Sequence, residues 1–155
     1  MQQKSDTIKE AFKTIDSGVD KYLDFLCHIC SYEARAYDKK TIDRMVDHIA
    51  LFAEESGLRV TRTPMEKCGD FLTVEINAGD EKACFLQAHM DTVHEKGIFG
   101  DPPVRREEGK IYGPGVIDCK GGITIALLAM KALLDGGFKK HVRLLLTSDE
   151  EIANT

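Results

Sequence analysis

Three apolar runs in this sequence end on residues that bind hard metal ions. ACFLQAHMDTV carries His89 and Asp91, GPGVIDCKGG carries Asp118, and VRLLLTSDEE carries Glu150 and Glu151. One imidazole among several carboxylates is an oxygen-rich donor set, suited to a catalytic pair of zinc ions, or to cobalt or manganese, rather than to the thiolate cages of structural zinc. His89 and Asp91 stand two apart after an apolar strand, so an extended backbone projects both side chains to one side. A metal-bound imidazole commonly gives its other N–H to a carboxylate, which Asp91 is placed to provide. Asp118 lies among glycines that permit tight backbone paths, and its two oxygens could bridge two cations about 3.5–4 Å apart. Glu150 and Glu151 are adjacent, so they can divide labour between metal and attacking water only if the backbone turns there.

Taken singly these signals are weak, since a lone histidine at a strand end is usually structural and a short acidic run is usually a solvated turn. A nucleotide site is excluded more firmly. The GxGxx spacing ends on Asp118 instead of a third glycine, and the setting of Lys120 is not GxxxxGK[ST]. The three segments gain weight together because functional loops of an open α/β sheet gather beyond the carboxyl ends of its strands.

The elements that must position these residues are readable from periodicity. Ile8, Phe12, Ile15, Val19, Leu23, Leu26 and Cys30 lay one apolar stripe along a long helix that Gly18 could interrupt. Ile42, Met45, Val46, Ile49 and Ala53 mark a second helix, capped by Asp38 or Thr41 and stopped by Gly57. Residues 58–63, 71–76 and 82–88 read as strands, and Asn77-Ala78-Gly79-Asp80 predicts a hairpin between the second and third. Short strands around 104–106 and 110–112 follow, then an apolar helix over 123–134 ending at Gly136-Gly137. The last strand, 141–147, holds Leu144, Leu145 and Leu146 in succession, the pattern of a strand buried on both faces. Strand, helix, strand alternation with a hairpin predicts an α/β three-layer core with a mixed sheet.

With 155 residues, 43% hydrophobic and 30% charged, the chain has the profile of one globular domain. Its net charge is −5 and its basic residues are scattered, which argues against a nucleic-acid partner. The longest apolar stretch, 123–130, is far short of the roughly 20 residues of a membrane span. The charged, amphipathic N-terminus is no secretory signal, so a cytoplasmic location is expected. Five cysteines, an odd number, fit reduced thiols, and Cys27-His28-Ile29-Cys30 has neither a preceding strand nor a second CxxC to make it a redox or zinc motif.

The segments HMDTV, GPGVIDCKGG and SDEE, in this order, closely resemble the zinc-dependent aminoacylase and carboxypeptidase family that includes glutamate carboxypeptidase, acetylornithine deacetylase and succinyl-diaminopimelate desuccinylase. The resemblance implies a zinc-exopeptidase-like α/β/α fold of which residues 1–155 supply the N-terminal portion of the catalytic domain, without the lid or dimerisation domain. It implies two zinc ions, with His89 on one, Glu151 on the other and Asp118 bridging both. Asp91 would orient His89, and Glu150 would be the general base that takes a proton from the attacking water and returns it to the leaving amine. It also implies a cis peptide between Asp118 and Cys119.

The expected substrate is a small peptide or acylated amino acid, with GPGVIDCKGG favouring the glutamate carboxypeptidase branch. The alternatives are an N-acyl amino acid deacylase or dipeptidase of the same family, or a non-catalytic remnant serving as an interaction module. The resemblance leaves a homodimer of the complete parent open. The sequence departs from the family where Ile152-Ala153-Asn154-Thr155 replaces a frequent Gly-Ser pair, and each metal lacks one further protein ligand. The chain alone is therefore expected to be inactive and to bind zinc weakly.

Overall fold

The computed structural model describes residues 2–79 and 82–152. Helix α1 (Gln2–Ser31) and helix α2 (Lys39–Glu55) precede strands β1 (Arg59–Thr63), β2 (Phe71–Ile76) and β3 (Cys84–His89). A short hairpin, β4 (Arg105–Glu107) and β5 (Lys110–Tyr112), leads through the turn Val116–Lys120 into α3 (Gly121–Asp135), then β6 (Val142–Thr147) and a 3₁₀ turn, Glu150–Ile152.

The strands form a mixed sheet of order β1-β2-β6-β3, antiparallel from β1 to β6 and parallel between β6 and β3. The hairpin expected between β2 and β3 does not form, because β6 lies between them. Its run of three leucines is the most apolar of the strands, and burial is greatest where a neighbour pairs on each side. Asp80 of the expected turn lies outside the described residues. The parallel pairing sets His89 opposite Thr147, so the carboxyl ends of β3 and β6 open on the same edge of the sheet.

Leu72, Val74, Ile76, Val142, Leu144 and Leu146 alternate onto one face and join Ile29, Ile42, Met45, Ile49, Ile123 and Leu127 of the helices in one core cluster. The alternate positions Phe85 and Gln87 are exposed, and Thr73 and Leu145 only half-buried. The described chain thus shows the sheet with one of the two helical layers of a three-layer α/β/α architecture. Helix α1 runs through Gly18 unbroken; a Cβ there would meet Leu128 Cδ1 at 3.5 Å, so the glycine lies at the close approach of α1 to α3. The Asp38 side chain caps α2 by accepting from the Thr41 amide at 3.1 Å, and Gly57 follows the helix with φ of +80°. No described helix is long and apolar enough to cross a membrane.

Candidate metal centre

His89 closes β3 and is buried, with both ring nitrogens acting as donors. Nδ1 donates to the Asp91 backbone carbonyl at 3.1 Å, and Nε2 to Asp118 Oδ1 at 2.9 Å. The Asp91 carboxylate lies a little farther off, its Oδ1 3.6 Å from Nδ1. The Asp91 carboxylate, then Cys119 and Asp118, outweigh burial and push the imidazole up to about 11.

Asp118 is presented by a backbone that leaves helical geometry at φ −117° and ψ 96° and passes through a cis peptide to Cys119. Its side chain is mostly exposed, open to a second partner besides His89. Two features shape this turn. Gly115 has φ of +73°, and a Cβ there would stand 2.8 Å from Thr92 Cγ2 and 3.1 Å from the Asp118 carbonyl. Lys120 is fully buried, with Nζ donating to the Pro114 carbonyl at 3.3 Å, and burial pulls its ammonium down to about 8.

Beyond β6 the chain makes the turn that two adjacent glutamates need. Ser148 Oγ donates to the Gly69 carbonyl, and the Glu151 amide donates to Asp91 Oδ2 at 3.1 Å. Ligand atoms of His89, Glu150 and Glu151 all lie within 4.8 Å of one another, and so do those of His89, Asp118 and Cys119. Burial raises the Glu151 carboxyl, opposed by His89 and reinforced by Asp118, Glu150 and Asp91. Asp149 points to a different cleft, lined also by Met65, Cys68 and Ile152.

The five singled-out residues His89, Asp91, Asp118, Glu150 and Glu151 therefore meet at one end of the sheet. They fit a divalent cation on three counts: one imidazole with several carboxylates, a crowd of like charges at Glu151, and a buried Asp91 Oδ1 with no hydrogen-bond partner. Sequence reasoning missed two neighbours. The Cys119 sulfur accepts the His89 amide at 3.1 Å and its thiol donates to the His89 carbonyl at 3.2 Å, pinning the end of β3. Lys120 gave no warning beyond its glycine-rich setting, since a lysine is almost never fully buried.

Residues 85–154 match the model of peptidase family M20/M25/M40. Carboxypeptidase G2 of Pseudomonas sp. (strain RS-16) is 30% identical over 154 residues, covering 97% of this chain and 36% of that protein. Succinyl-diaminopimelate desuccinylase of Rickettsia akari (strain Hartford) is 29% identical over 126 residues, 70% of this chain and 31% of that protein. The di-peptidase Dug1p of Saccharomyces cerevisiae superposes with a TM-score of 0.76 at 15% identity, over 94% of this chain and 35% of that one, a likeness of fold. The chain thus spans about a third of the length of the relatives it matches. Its motifs, its fold and these matches thus liken the chain to peptidase family M20/M25/M40, with residues 85–154 carrying the family match.

Proposed function

We propose that this chain carries the metal-holding and proton-transferring part of a hydrolase that cleaves an amide or peptide bond next to an amino acid. The observation that carries the reading is the convergence of His89 with Asp118 on one side and with Glu150 and Glu151 on the other. In it His89, Asp118 and Glu151 would hold divalent cations, zinc by preference. When bound, the cations polarise the amide carbonyl and acidify water. Asp91 fixes the His89 ring through its carbonyl and the Glu151 backbone through its carboxylate, so one residue sets the spacing of two ligands. Glu150 accepts the proton of the attacking water and delivers it to the nitrogen of the leaving amine.

A carboxypeptidase, a desuccinylase and a di-peptidase among its relatives support a peptide or an acylated amino acid as substrate. The match to a third of each relative supports assigning the chain one part of a catalytic domain, with further ligands supplied by sequence it does not contain. Five free cysteines suit a reducing compartment, and the cytoplasm is our assignment.

Titration with cobalt(II), followed by its visible absorption, tests the reading. Binding weaker than micromolar that disappears in His89→Ala and Glu151→Gln, with no amide hydrolysis by the chain alone, is expected. Binding indifferent to both substitutions would overturn the metal assignment. Micromolar uptake of two ions, or clear hydrolysis, would overturn the claim that the site is incomplete.

A further inference from the structure

A groove of about 380 Å³ starts at Asp118 and runs along the β4-β5 hairpin, lined by Phe99, Arg105, Ile111, Tyr112 and Ile117 among others. Its composition is unusual for the rim of an acidic site. Ile117, adjacent to Asp118, is 93% exposed, and Tyr112 and nearby Ile98 are exposed as well. A branched apolar side chain open to water beside charged groups gains from burial against an apolar ligand group. Phe99 is fixed by an edge-on contact with the His94 ring, centroids 5.0 Å apart.

The cation in the groove is Arg105. Glu108 and Gly109, both at positive φ, close the two-residue hairpin turn and set Arg105 in register with Tyr112. The guanidinium lies over the Tyr112 ring, 5.5 Å from its centroid, and its acidic neighbour Glu107 is 4.0 Å away, the outer limit of an ion pair. Its donors thus remain open to an anion, whereas Asp91, Asp118, Glu150 and Glu151 make the adjoining centre acidic. In the metal-free protein an anionic group of a ligand is repelled by that centre and drawn to Arg105.

Resting on the hydrolase reading, we propose that this groove receives the amino-acid part of the substrate: an apolar, ring-sized side chain on Phe99, Tyr112 and Ile117, and a free carboxylate on Arg105. The substrate class is then an N-acylated or peptide-linked amino acid with a large apolar side chain.

The test is amide chemical-shift titration of the chelator-dialysed protein with N-acetyl-L-phenylalanine, N-acetylglycine and N-acetyl-L-phenylalanine amide. The first ligand should shift residues 104–118 and bind about 5–10-fold tighter than either control. Arg105→Gln should abolish the advantage over the amide, and Ile117→Asp the advantage over N-acetylglycine. Both positions are exposed, and the spectrum itself reports folding. Equal affinity for all three ligands, or shifts confined elsewhere, would overturn the proposal. Because the protein is metal-free, failure here leaves the cobalt result standing, and failure of cobalt binding leaves this result standing.

Discussion

The amide of Glu151 donates to the carboxylate of Asp91 at 3.1 Å, tying the chain beyond β6 to the chain beyond β3 across 60 residues of sequence. That same aspartate accepts from the His89 ring through its backbone carbonyl, so two proposed metal ligands take their positions from one residue. Replacing Asp91 by alanine leaves the Glu151 amide without its acceptor and removes a charge. Metal affinity should fall by about 10–100-fold, while Asp91→Asn, which keeps an acceptor oxygen, should lose less. Cobalt titration of both variants measures the difference, and equal losses would show that the charge alone matters.

Gly115→Ala should destabilise the fold by about 1–3 kcal/mol in urea unfolding, since it combines a strained φ with overpacking. The added methyl meets Thr92 and the Asp118 carbonyl, so metal affinity should fall with stability. A stable variant with unchanged affinity would show that the turn is free to move.

Lys120 predicts a pH dependence of opposite sign to that of His89. Burial lowers the lysine to about 8, so between that pH and its unfolded value of roughly 10.4 the unfolded chain binds more protons and stability rises with pH. His89, raised to about 11, contributes stability that is full below its unfolded value of roughly 6.5 and is lost as pH rises through the folded one. Comparing Lys120→Met with the parent by urea unfolding isolates the first effect: the parent should gain relative to the variant between pH 8 and 10. A constant difference would mean that the ammonium stays charged.

Asp70 gives an acid limb. Burial would raise its carboxyl, but Lys39 at 2.6 Å, the Met65 amide and Arg62 at 2.7 Å outweigh burial and hold it at about 2. Its contribution is present above the unfolded value of roughly 3.9 and is lost as pH falls through about 2. Asp70→Asn should cost about 1–2 kcal/mol at neutral pH, discounted because Lys39 and Arg62 are about a third exposed, and less at pH 2. A cost that does not shrink in acid would contradict the ion-pair account.

The strands and helices were legible where a local pattern decides them: the stripe of α2, its Asp38 cap and the leucines of β6 all lie within a few residues of what they control. Pairing was not. Asn77-Ala78-Gly79-Asp80 looks like a hairpin turn, but β6 takes the place beside β2 through an apolar preference no local signal carries. The four acids and the histidine that motif order singles out do converge in space, although the ring of His89 meets the Asp91 carbonyl more closely than the carboxylate the sequence suggested. Lys120 and Cys119 escaped because burial and the Cys119 contact with His89 arise from a fold in which position 119 meets position 89.

Zinc K-edge X-ray absorption on the concentrated, zinc-loaded chain tests the central claim most directly, because it reports donor atoms even when binding is weak. His89, Asp118 and Glu151 as ligands predict a nitrogen and oxygen shell at about 2.0–2.2 Å with an imidazole signature that vanishes in His89→Ala. A sulfur shell at about 2.3 Å, or a spectrum unchanged by His89→Ala, would place the metal on Cys119 or elsewhere and contradict the account.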